Sequence, residues 1–159
     1  PATIRTRQAD ALAYRMGGLE ELPEASRTFA DVSLMDMARE AVERMGDPPW
    51  ETILMVDERN AYSLLCDKPG DSNRPHWHDD FDEVWYVVRG ELEWEISTRE
   101  GNGVKLVAAH RAQAGDLIFC PKDLIHVIKT VGTENSLRLG VGLPTERIIW
   151  ADQYFFPSS

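Results

Sequence analysis

The chain has 159 residues, 43% of them hydrophobic and 28% charged, with a formal net charge of −10. That length and balance describe one globular domain large enough for a buried core. The acidic excess argues against nucleic acid or anionic membrane as partners, because both are polyanions, and no apolar run approaches the roughly 20 residues that span a bilayer.

Taken in order, residues 10–16 read as a short helix ended by Gly17 and Gly18, and residues 19–28 as irregular chain broken by Pro23. No apolar segment of a secretory leader opens the sequence. The clearest helix is residues 33–45. Leu34, Met37, Ala38, Ala41, Val42 and Met45 fall on one face at helical spacing, with Asp36, Arg39, Glu40, Glu43 and Arg44 on the other. Asp31 or Ser33 can cap its start, Gly46 its end, and Pro48 and Pro49 prevent continuation. Its apolar face predicts packing against a sheet.

From Trp50 onward the pattern becomes β. Residues 51–56 and 61–66 read as strands around a polar turn at 57–60. Further strands follow at 83–89 and 91–97. In the second, Leu92, Trp94 and Ile96 alternate with Glu91, Glu93 and Glu95, the mark of a strand with one face in water. A turn at Gly101-Asn102-Gly103 leads to strands at 104–109, 116–120, 125–131, 136–141 and 147–150. Such a series of short strands fits an all-β sandwich or barrel. The end of the sequence, Trp150 through Phe156, is too aromatic for a solvated tail. It covers the barrel or packs on a second subunit. Cys66 and Cys120 read as buried, reduced thiols, which suits a cytoplasmic protein.

The chemistry concentrates between Gly70 and Gly90. His76 and His78 are one residue apart, so on an extended segment they share a face and Trp77 takes the other. Pro75 fixes the backbone before them and biases Arg74 towards extended chain. Glu83 opens the next strand, and a bend through residues 79–82 is expected to fold that strand back beside the first. His126 supplies a further imidazole from a strand suited to a hairpin partner. Three imidazoles and a carboxylate make a mixed nitrogen and oxygen site for a divalent transition metal, without the thiolates of a structural zinc site. Asp79, Asp80 and Asp82 read as a solvated acidic bend, and His110 as a surface or hairpin position. By parity Trp85 shares the face of Glu83, and Ile128 and Thr130 share that of His126. With Trp94 they outline a pocket for a small organic molecule. Arg89 reads as solvent-exposed, and the side taken by Tyr62 is left open.

These residues resemble two motifs of the cupins. The first is a glycine, five residues, His-x-His, four residues, a glutamate, six residues and a glycine, matched by Gly70, His76, His78, Glu83 and Gly90. The second is matched by Gly115, Pro121 and His126, with Asp123 where glycine is usual and Thr130 where asparagine is usual. The resemblance implies a double-stranded β-helix, the cupin jelly-roll barrel, over residues 50–150. Residues 1–49 are then an N-terminal extension carrying the helix, and residues 151–159 an aromatic tail. It implies His76, His78, Glu83 and His126 as ligands of one divalent metal: Fe(II) foremost, with Mn, Ni or Zn as alternatives. It also implies a small-molecule enzyme, foremost a dioxygenase using Fe(II) and dioxygen in which Glu83 can act as a base. The alternatives are a non-redox isomerase, lyase or decarboxylase, and a ligand-binding cupin without turnover. A homodimer is expected from the same resemblance and from the tail.

Overall fold

The computed structural model describes residues 15–16, 34–56, 59–143 and 147–152. In chain order these form β1 (Arg15–Met16), α1 (Leu34–Met45), β2 (Trp50–Val56), β3 (Ala61–Asp67), β4 (His76–Trp77), β5 (Glu83–Arg89), β6 (Glu91–Glu100), β7 (Gly103–Gln113), β8 (Leu117–Cys120), β9 (Ile125–Val131), β10 (Ser136–Gly142) and β11 (Ile149–Trp150). A first sheet runs β1-β2-β3-β10-β5-β8 and a second runs β11-β4-β9-β6-β7. From β3 onward the chain passes back and forth between the sheets, with β6 and β7 together in the second, the winding of a double-stranded β-helix.

Period-two patterning builds the space between the sheets. Leu65, Trp85, Val87, Ile118 and Cys120 of the first sheet meet Leu92, Ile96, Ala112 and Ile128 of the second in one buried cluster. The opposite parity of β3 and β10 faces outward onto the helix. There Ala38 and Ala41 of α1 pack with Trp50, Leu54, Leu64, Cys66 and Leu137, and Met37, Val42 and Met45 border them. The helix therefore braces the outside of the first sheet. It stops at Gly46, whose φ of +70° suits a residue without Cβ; its N–H bonds Val42 O at 3.1 Å. Tyr62 shares the outer parity of Leu64 and Cys66.

Two local readings change. Arg15 and Met16 pair in parallel with Trp50 and Glu51: they extend the first sheet at its edge, where the sequence alone suggests the end of a helix. Residues 19–28, and the tail beyond Asp152, lie outside the described residues. β7 runs on to Gln113, past the expected end at residue 109, and the β6–β7 ladder carries a register shift between Ile96 and Ser97. Such a shift switches which parity faces inward, so simple alternation does not carry along the whole strand.

Two of the positive-φ turn positions have distinct causes. Gly90 has φ +82°, and a Cβ there would lie 2.8 Å from Ser136 Cα, so both conformation and space demand glycine. Asp123 has φ +66°, the left-handed conformation that explains why glycine is usual at this motif position.

Candidate metal centre

Alternation along β4 turns His76 inward and Trp77 outward, and His78 follows on the inner side. β9 runs antiparallel to β4 with His126 directly opposite His76. Glu83 opens β5 in the other sheet, so its carboxylate reaches the imidazoles from across the barrel. The bend at residues 79–82 thus carries the chain from one sheet to the other and does not form a hairpin. Nor is β9 a hairpin partner of β4, since four strands lie between them in sequence.

The four side chains are buried, with exposures of 5% for His76, 1% for His78, 2% for Glu83 and 1% for His126. One donor atom from each lies within 4.8 Å of all the others. Glu83 Oε2 is 3.1 Å from His126 Nε2, and Oε1 is 3.7 Å from His78 Nε2. The His76 and His126 ring centroids are 4.4 Å apart, and Phe81 lies against His78 at 4.4 Å.

Main-chain carbonyls set the imidazole tautomers. Nδ1 of His76 faces Arg74 O at 2.8 Å, Nδ1 of His78 faces Arg147 O at 2.9 Å, and Nδ1 of His126 faces Leu124 O at 3.3 Å. A carbonyl oxygen only accepts, so each contact is a hydrogen bond when the proton sits on Nδ1. Each Nε2 then offers its lone pair to the cluster. Burial, then the neighbouring His126, holds the His76 imidazole well below its usual pKa of 6.5. It is neutral near pH 7, the form that binds a metal.

The donor set fits a divalent transition ion. His126 Nε2 is buried and makes no hydrogen bond, although Glu83 Oε2 is only 3.1 Å away. Two lone pairs facing each other in a buried gap are unfavourable unless a cation lies between them. Cys120 stands directly opposite Glu83 on β8. Burial foremost, and then the Glu83 carboxylate, push its thiol up against the opposing pull of Arg138. It therefore stays protonated and leaves nitrogen and oxygen as the donors. Cys66 and Cys120 are both buried and free.

Of the other positions singled out by parity, Trp85, Ile128 and Thr130 are buried, at 3%, 1% and 1% exposure. Thr130 Oγ1 lies 2.7 Å from Ser136 Oγ. Trp94 is half-buried against the inner cluster and stacks on His110 at 4.7 Å. His110 is exposed and lies outside the group of four. Asp79 pairs with Arg147 at 3.1 Å, Asp82 accepts the Lys122 N–H at 2.9 Å, and Arg89 is exposed.

Two features escape the sequence reading. Arg138 and Asp67 form an ion pair of 2.6 Å with both side chains 1% exposed, and the Arg138 guanidinium lies 5.3 Å from the Trp85 ring. The available signal was a charged residue on the inward parity of an apolar strand, between Leu137 and Leu139. The second is how residues 147–152 lie along β4. A strand at 147–150 is expected from the sequence, but its partner is long-range and leaves no local trace.

The family model described as the cupin domain matches residues 63–142, and the chain belongs to the cupin family. No curated protein matches it. Among solved structures, a variant of oxalate decarboxylase from Bacillus subtilis superposes with a TM-score of 0.53 at 19% identity, covering 64% of this chain and 26% of that one. Another structure of that enzyme, studied for its Mn(II) centres, gives 0.51 at 20% identity over 61% and 25%. KdgF from Halomonas sp. gives 0.49 at 21% identity over 57% and 74%. The chain spans about a quarter of the oxalate decarboxylase length, and the likeness is one of fold. No described helix is long and apolar enough to cross a membrane.

Proposed function

We propose that the chain is a metal-dependent enzyme acting on a small organic molecule, foremost a dioxygenase using Fe(II) and dioxygen. One observation carries the metal part of this reading: three buried imidazoles, each with Nδ1 against a main-chain carbonyl, direct Nε2 towards one carboxylate. A divalent ion bound there supplies Lewis-acid polarisation of a substrate oxygen and, as Fe(II), redox chemistry with dioxygen.

The chain's own residues do the rest. The carbonyls of Arg74, Leu124 and Arg147 hold the imidazoles in one tautomer. Glu83 is the residue we assign to take a proton from substrate, a role supported by its nearness to His78 and His126. Trp85, Ile128 and Trp94 exclude water from the barrel interior, and Thr130 adds a hydroxyl tied to Ser136. Oxygen uptake by the ferrous protein with enolic or phenolic candidates tests the oxidative reading, and full turnover under strict anaerobiosis would refute it.

A second reading is non-redox isomerase, lyase or decarboxylase chemistry with Mn, Ni or Zn. It draws support from the likeness to an oxalate decarboxylase with Mn(II) centres, and turnover with redox-inert zinc would select it. Ligand binding that survives metal removal, without turnover, would select a binding role. We take the protein to be cytoplasmic and a homodimer. Exposed Leu117 and Phe119 on the edge strand β8, 66% and 52% accessible, support self-association, which sedimentation would measure.

A further inference from the structure

β4, the strand that carries His76, is two residues long, and its register with β9 is the single pair His76 and His126. On that side the flanking chain is held as well, by the Asn73 N–H to Ile128 O at 3.1 Å and the Asp123 N–H to His78 O at 2.7 Å. On its other side the strand is met by residues 147–152 at several points. Ile149 pairs with Trp77 and Trp150 with His76. The Ala151 N–H donates to Pro75 O at 3.0 Å, and His78 Nδ1 donates to Arg147 O at 2.9 Å. Arg74 donates from Nε and Nη2 to the two carboxylate oxygens of Asp152 at 2.8 and 2.6 Å. The Trp150 ring lies 5.2 Å from that of His76, with the Arg74 guanidinium 4.8 Å from it on its own account. Ile149 and Ala151 also pack on Trp77 and Ile125 outside the second sheet.

Resting on the metal-centre reading above, we propose that residues 147–152 act as a clasp that orients His76 and His78 and thereby sets how fast a bound ion is released. Release requires a donor to swing away from the cluster. The clasp opposes this at both histidines: the Arg147 carbonyl fixes the plane and tautomer of His78, and the tilted Trp150 ring abuts that of His76. Groups that orient a ligand change metal affinity by roughly 10- to 100-fold when removed. None of these residues supplies a donor atom, so they are positioning residues.

The test uses protein loaded with Co(II) or Zn(II), with release followed under excess chelator. Trp150→Ala, and a chain ending after residue 146, are expected to release the ion about 10- to 100-fold faster and to shift the Co(II) absorption bands. Asp152→Asn, which weakens the clasp only at its partly exposed ion pair, is expected to accelerate release about threefold, with Asp152→Glu restoring the parent rate. A chain ending after Asp152 retains the clasp and should release at the parent rate. If the chain ending after residue 146 does not fold, the point variants decide. Parent-like rates and Co(II) spectra in Trp150→Ala and Asp152→Asn would overturn the clasp alone. A parent protein that holds no stoichiometric ion would overturn the metal-centre reading beneath it.

Discussion

His76 and His126 stand directly opposite each other on adjacent antiparallel strands, their ring centroids 4.4 Å apart, although 50 positions separate them in the chain. Neither ring can shift without disturbing the other, so the two should act as a unit in metal binding. Replacing either with alanine removes one donor and frees the space its partner packs against. Each substitution should weaken Zn(II) or Mn(II) affinity by more than about 100-fold, read by competition with a chelator of known affinity. The double variant should cost less than the two single losses combined, because after the first loss the second ring is already misplaced.

Acid should destabilise the metal-free protein through His76. Its native pKa lies well below the usual 6.5, so below that pH the unfolded chain binds a proton the native chain does not. Native stability from this group is complete above pH 6.5 and is lost progressively as pH falls from there towards the depressed native value. Thermal unfolding of apoprotein across this window should give a falling Tm, and His76→Phe should flatten the fall. Through this window His76 of the folded protein stays neutral, so its part in metal affinity should decline only as pH nears the depressed native value, because protonated imidazole does not coordinate.

The Arg138 and Asp67 ion pair is fully enclosed. Removing one member leaves the other charge buried without this partner. Asp67→Ala should therefore destabilise the fold by about 3–5 kcal/mol in urea unfolding, while the paired change Asp67→Leu with Arg138→Met should recover most of that loss.

At Asp123 the left-handed backbone, φ +66°, is the strained element. Asp123→Ala should cost about 1 kcal/mol, since alanine lacks the local hydrogen bonding that lets aspartate occupy this region. Asp123→Gly should lie within about 0.5 kcal/mol of the parent, relief of strain offsetting the added freedom of the unfolded chain. Chemical denaturation of the three proteins separates these outcomes.

Alternation, a short-range rule, made the facing of the site residues legible, while the barrel and the grouping of His76, His78, Glu83 and His126 came through the resemblance to the two cupin motifs. Alternation put His76 and His78 on one side of a strand and Trp77 on the other, and the same rule placed Trp85 with Glu83 and Thr130 with His126. Which sheet a strand joins is not a short-range property. The bend after His78 looked like a hairpin, yet it passes Glu83 to the opposite sheet, because alternation says which side a residue faces and nothing about its strand's neighbours. Arg15 and Met16 were misread for a related reason: two residues at a sheet edge take their conformation from β2, not from their own propensity. The contacts of Trp150 with His76 and of Asp152 with Arg74 were invisible for want of any local pattern.

The three Nδ1 atoms of the centre are anchored by peptide oxygens and not by side chains. A peptide oxygen is present whichever amino acid occupies the position. The proton placement on all three rings is therefore insulated from substitution at positions 124 and 147, and at 74 as far as this bond alone is concerned. Drift in those flanking side chains can retune the surroundings of the centre while its coordinating nitrogens keep the same lone pairs on offer. Loss of that control would require a change in the path of the backbone itself.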